Sequence, residues 1–253
     1  MEFMKNKTVF YKGLAVLFAL AVWQAAAMSV GMEMLLASPV QVIKRLVALA
    51  AEKEFIVTAG NSLLRIIKGF LLAFAAGTLL AVLSGRFKVI EILLRPYLVT
   101  ARAVPVASFI ILCLIWFSFD QLTVFISLLI ALPVIYSNVL QGIKSAPEEM
   151  EEMAGLYHLS WGKKLLYVYT PAIKPYLISA CSVAVGMAWK AGVAAEVIGV
   201  VKDSIGGKLY EAKVYFQNAD LLAWTVVIII LSVLVEKVFI FLLKRLFAMV
   251  EKI

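Results

Sequence analysis

Six apolar stretches of about twenty residues, each long enough to cross a hydrocarbon core, alternate with polar segments along this chain. They predict membrane-crossing helices at about residues 11–30, 62–83, 97–117, 122–140, 176–197 and 221–243. The second carries Ala73, Ala75, Ala76 and Gly77, small residues that suit close helix packing. The third is interrupted by Pro105 and the fourth contains Pro133. Membrane helices tolerate proline where neighbours satisfy the freed backbone.

Between the fourth and fifth stretches lies a polar segment, residues 142–175, with a pattern of its own. Ser145, Pro147 and Glu148 predict a helix start, with Ser145 as the cap and Glu148 at the capping-box spacing. Glu148, Glu149, Glu151 and Glu152 then lie near the positive end of the helix dipole. Met150, Met153, Ala154 and Tyr157 fall at i, i+3, i+4 and i+7, one narrow apolar face. A second short helix is expected from Ser160, carrying Lys163 and Lys164 and ended or kinked at Pro171. A Met-rich amphipathic helix suits docking into a groove of another protein. The alternative is a helix lying on lipid headgroups, but such helices carry Lys and Arg where this one carries glutamates.

Composition supports the membrane assignment. Apolar residues make up 64% of the 253 and the mean hydropathy is +0.99, whereas soluble domains run about 45–50% apolar. The net charge of +8 does not suggest nucleic acid, because cytoplasmic loops of membrane proteins collect Lys and Arg. With both termini cytoplasmic, the inside segments hold fourteen cations, Lys5, Lys7, Lys12, Arg86, Lys88, Arg95, Arg102, Lys144, Lys163, Lys164, Lys174, Lys244, Arg245 and Lys252. The outside segments hold six, Lys44, Arg45, Lys53, Lys202, Lys208 and Lys213. That bias places the acidic helix in the cytoplasm. The N-terminus has a basic-then-apolar order like a signal peptide, but the apolar run is long, so a retained first span is expected.

Two segments are expected outside. In residues 32–59, Ser38 and Pro39 open a helical pattern through Ala51; residues 199–220 form the other. Both could meet an extracytoplasmic partner or be ordinary loops. Cys113 and Cys181, far apart in apolar runs, are expected as buried small hydrophobes.

No catalytic set is present. SIGGKL at residues 204–209 lacks the first glycine of a phosphate-binding loop and ends in Leu, so ATP is not bound by that route. His158 is the one histidine and reads as a turn residue, without the partners a metal site needs. Lys190 and Glu196 lie in the fifth span, where a charge costs about 2.5–3.5 kcal/mol and usually faces a cavity or a partner. Six positions apart, they do not share a helical face. Lys190 is read either as lining a path for an anionic solute or as paired for packing. Arg65 and Lys68 are read as snorkelling interface anchors, and Trp23, Trp116 and Trp224 as aromatic-belt residues.

Glu152, Ala154, Ser160 and Pro171, in that spacing, resemble the EAA motif of permease subunits of ABC importers. Met153 stands where that motif has its first Ala, and His158 where it has a Gly elbow; Gly155 is the other candidate for the elbow. GMAWKAGVAAEVIG at residues 186–199 and ARAVPVASFIILCLIWF at residues 101–117 resemble the branch that handles nitrate, alkanesulfonates, taurine and thiamine precursors. The likeness runs from about Leu63 to the C-terminus. It implies an all-α polytopic permease, one transmembrane domain over residues 1–253, with a cytoplasmic coupling loop at 142–175. It implies docking onto an ATP-hydrolysing subunit through Glu149, Glu152, Met153, Ala154, Tyr157, His158, Ser160 and Pro171, and a translocation path that we place at Lys190, Glu196 and Trp189. A second copy of the chain, a substrate-binding protein outside and the lipid of a bacterial or archaeal plasma membrane complete the expected partners. ATP is hydrolysed elsewhere, so the chain itself is expected to hold neither cofactor nor metal. The alternative is a self-sufficient secondary transporter, which would need coupling-ion residues in the membrane and often an internal repeat. Few intramembrane carboxylates and no clear repeat count against it. A membrane scaffold that transports nothing is a third reading.

Overall fold

The computed structural model describes the backbone of residues 2–250 and the side chains of residue 11 and residues 13–249. Lys252 and the side chains of Lys5, Lys7 and Lys12 lie outside the described residues. Eleven α-helices and one π-helical turn account for the described regular structure. They are α1 (Glu2–Val30), α2 (Pro39–Ala51), α3 (Lys53–Arg86), α4 (Lys88–Ala103), α5 (Val106–Cys113), α6 (Phe119–Lys144), α7 (Glu148–Leu156), α8 (Trp161–Lys164), the π-turn Leu165–Tyr169, α9 (Thr170–Ile198), α10 (Ile205–Val214) and α11 (Asn218–Val250). Five helices among the described residues are long and apolar enough to cross a membrane, and the bent pair α4–α5 makes a sixth span if taken as one.

Helices α3, α6 and α9 form the centre. α3 and α6 run parallel: the glycine row on α3 meets α6 in step, Gly69 at Val124 and Ser127, Gly77 at Ile135, Gly85 at Ile143. α9 runs the other way, with Gly142 of α6 against Ile173 and Gly192 of α9 against Ser127 and Ile66. Small residues make this possible. Gly69, Ala73, Gly77, Ala81 and Gly85 recur every four positions and give α3 a smooth face. A Cβ built on Gly69 would lie 2.4 Å from the Val124 carbonyl oxygen, so the two backbones nearly touch there. The apolar core around this contact includes Phe70, Ile135, Val139, Leu177 and Ala184.

Proline breaks the third span more sharply than expected. Val104 takes φ −77° and ψ 132°, the extended conformation imposed on a residue before proline. α4 ends there and α5 leaves at 101°. Pro171 does the opposite of what its position predicts. It neither ends nor kinks the chain but sits in the first turn of α9, and the helical path from Trp161 to Ile198 is unbroken. The π-turn before it absorbs the missing proline N–H: the Thr170 backbone N–H reaches back to the Leu165 carbonyl, and the Thr170 hydroxyl donates to the same oxygen at 2.8 Å.

At the opposite end from α7, α2 starts at Ser38 with the reciprocal Ser38–Gln41 capping box, as the sequence predicts from Ser38-Pro39. Arg45 of α2 grips Asp220 at the start of α11 with two nitrogens, one of them at 2.8 Å. That hydrogen bond, aided by the nearby carboxylate charge, holds the Arg45 guanidinium above its ordinary pKa. Trp224 is buried against Phe55, with ring centroids 5.2 Å apart, so it is a core residue and not part of an aromatic belt. Trp23 donates to the Ala37 carbonyl at 3.1 Å, and Trp116 is exposed.

Candidate functional site

α7 begins at Glu148, but Ser145 does not cap it. Ser145 instead closes α6, donating its hydroxyl to the Gly142 carbonyl at 2.9 Å, and Pro147 holds the N-cap position of α7 without a side-chain bond. Three glutamates in the first turn of α7 answer its dipole in place of a cap. The far end has the elbow. His158 lies at φ +48°, while Gly155 stays helical, so the elbow falls at the histidine. Leu159 N–H donates to the Ala154 carbonyl and His158 N–H to the Gly155 carbonyl, both at 3.0 Å, which is the Schellman closure of a helix.

Of the predicted apolar face, Ala154 alone points inward and is buried. Met150, Met153 and Tyr157 stand exposed. Together with Leu159, Tyr167 and Val168 they wall a cavity of about 320 Å³. Leu156 and Tyr157 at the tip are 80% and 75% exposed. Glu149, Glu152 and Ser160 surround this apolar ridge on the surface, and Pro171 is exposed in the helix beyond. Arg86 at the end of α3 stacks over Trp161 of α8 at 4.9 Å, tying the loop to the core.

At the other end of the core, Glu196 is fully buried. Its Oε2 accepts the Ser62 hydroxyl at 2.7 Å and the Gly206 N–H at 3.1 Å, and Ser62 in turn accepts the Ile205 N–H at 2.8 Å. Ser204 caps α10 by accepting the Gly207 N–H at 2.9 Å. The carboxylate therefore sits on the N-terminus of α10, a place that favours negative charge. The SIGG stretch is a seat for this carboxylate: a Cβ on Gly206 would lie 2.3 Å from the Glu196 Cβ. Arg65 is no snorkelling anchor. It turns inward, with Nη2 at 2.5 Å from Asp120 and Nη1 at 3.9 Å from Glu196. Lys68, one turn on, is exposed.

Trp189 is buried in the core, Glu196 is enclosed, and Lys190 is exposed on the stripe of α9 that also carries Val183 and Met187. The three residues placed on a path thus point in different directions, as the spacing of Lys190 and Glu196 predicts for that pair. Sequence reasoning missed two intramembrane partners. Glu236 of α11 accepts the Ser182 hydroxyl, and Arg102 donates to the Pro133 carbonyl at 2.6 Å and to Ser137. In the sequence Arg102 falls among the inside cations, but Pro133 lies mid-way along α6, so this guanidinium sits at mid-span. A signal for both was present: a charged residue within an apolar run.

Residues 69–249 match the family described as "Binding-protein-dependent transport system inner membrane component". The chain belongs to this family of ABC transporter permeases. The permease is 27% identical to the putative aliphatic sulfonates transport permease protein SsuC of Bacillus subtilis (strain 168) over 230 residues, 89% of this chain and 82% of that one. It is 28% identical to the bicarbonate transport system permease protein CmpB of Synechococcus elongatus over 160 residues, 62% of this chain and 56% of that one. It is also 28% identical to the nitrate import permease protein NrtB of the same organism over 190 residues, 71% and 68% of the two chains. The match spans α7, Glu196 and α10, so these belong to the permease unit, while Ser62 and Arg65 lie just ahead of it.

Proposed function

We propose that this permease is the membrane subunit of an ATP-driven importer for a small anion of the sulfonate, nitrate or bicarbonate kind. The observation that carries the coupling half of the reading is α7. It presents Met150, Met153, Leu156 and Tyr157 to solvent at the end of the bundle, on a stem tied to α3 through Arg86 and Trp161. An apolar ridge with an acidic surround fits a groove on a nucleotide-hydrolysing subunit. The excess of Lys and Arg in the inside segments supports a cytoplasmic ridge, with both termini on the same side. The solute class rests on the relatives named above, whose names specify anions.

In this mechanism a second copy of the chain completes the path, ATP binding draws two motor subunits together, and α7 passes that motion to α6 and α9, which flank it in sequence. The path is then open to one side at a time. Lys190, on the exposed stripe of α9, favours an anion at the outer half of the path. Lys190→Ala is expected to raise Km for the anion severalfold while leaving assembly unchanged; an unaltered Km and rate would remove Lys190 from the path. The whole reading is tested by reconstitution. Proteoliposomes holding the permease, its ATPase subunit and its binding protein should accumulate nitrate, ethanesulfonate or bicarbonate when ATP is supplied to the motor side. Uptake by the permease alone, driven by an ion gradient, would favour the secondary transporter instead.

A further inference from the structure

Two cavities of about 390 Å³ and 380 Å³ lie side by side between α4 and α6, and both have Arg102 and Ser137 in their walls. The first, at the α4–α5 break, also takes in Pro133, Asn138 and Met187 of α9. The second runs toward the α7 end and takes in Arg95, Val99 and Tyr136. Arg95 and Arg102 are seven positions apart on α4, two turns along one face. No residue of α4 is buried in the protomer, although its run into α5 has the length and composition of a span.

Among the described residues no carboxylate lies within ion-pair distance of Arg95 or Arg102, and Glu91, the acid in the second cavity, is held by Lys144 at 2.5 Å. Arg102 spends Nη2 on the Pro133 carbonyl and Ser137, leaving Nε and Nη1 for another acceptor. A bare cation at the depth of Arg102 faces water or a ligand, because facing lipid is costly. Building on the permease reading, we propose that the lane between α4 and α6 is a water-filled anion subsite, with Arg102 as its mid-span contact and Arg95 as the next contact toward α7. A guanidinium with a free edge suits a planar or trigonal oxyanion, which it can bind through two parallel N–H bonds.

The test reads the field in the lane without needing the solute. Val99 is exposed and lines the second cavity. Val99→Cys is made in a full-length chain carrying Cys113→Ala and Cys181→Ala. It is then treated in native membranes with an anionic methanethiosulfonate (ethylsulfonate) and a cationic one (ethyltrimethylammonium). Corrected for intrinsic reactivity, the anionic reagent should react roughly tenfold faster, as expected for unit charges several ångströms apart in a partly screened site. Arg102→Gln should bring the ratio toward one, and Arg102→Lys should preserve it. No labelling by either reagent, or equal rates with both arginines intact, overturns the proposal, and those two outcomes need no Arg102 variant to fold. A ratio unmoved by Arg102→Gln removes Arg102 from the subsite. None of these outcomes bears on whether an ATPase subunit binds α7, which is scored separately by co-purification.

Discussion

Glu196 shows how one buried carboxyl group can order a region. Its carboxylate ties α3 through Ser62 and α10 through Gly206, and Arg65 brings a positive charge within 3.9 Å. The joint leaves no room for a methyl group. Gly206→Ala should cost about 1–3 kcal/mol by overpacking, read as a lower thermal midpoint in detergent. Gly60→Ala, on the open side of α3, is the control and should be neutral or slightly stabilising. Equal midpoints for the two variants would mean that the α10 seat adjusts freely. The elbow carries a second residue-scale prediction. His158 holds φ +48°, where glycine is less strained, so His158→Gly should leave co-purification of an ATPase subunit intact. His158→Val should weaken it, because a β-branched residue resists that region.

Among the elements, α3 depends on smallness. Its Gly69–Gly85 ladder lets α6 run against it at backbone distance, so Gly69→Leu should prevent the two helices from closing. The expected outcome is loss of a monodisperse peak in size-exclusion chromatography; a normal peak would show that the α3–α6 contact is dispensable. Hydrophobic length made the spans legible, and the Ser38-Pro39 signal made α2 legible to its last residue. The helix of the polar loop was also readable, because its apolar positions follow one helical face. The joints were not. Ser145 satisfies both a cap pattern ahead of it and a closing role behind it, and only the three-dimensional end of α6 decides between them. Pro171 reads as a stop, yet a π-turn one step earlier removes the need for its N–H. Arg65 reads as a snorkelling side chain until Asp120 and Glu196, distant in sequence, are brought beside it.

For the whole molecule, the two ends of the bundle have different characters. One end is locked by ion pairs and caps, with Arg45 on Asp220, Lys208 between Glu54 and Glu211, and Glu196 on α10. The other end offers an apolar ridge that stands exposed among the described residues. Under the proposed function this asymmetry would give a firm frame at the solute end and a handle at the motor end. The measurement that tests this most directly is a mild-detergent pull-down of the tagged chain from its native membrane, with mass spectrometry and an ATPase assay. Met153→Glu is the informative variant, because Met153 is 49% exposed and a charge there spoils docking without entering the core. Ala154→Glu would not separate docking from folding, since Ala154 is buried. The account predicts a nucleotide-hydrolysing subunit bound to the wild-type chain and lost from Met153→Glu, with the variant still monodisperse. A chain that emerges alone, or only with its own copies, and still transports would contradict it.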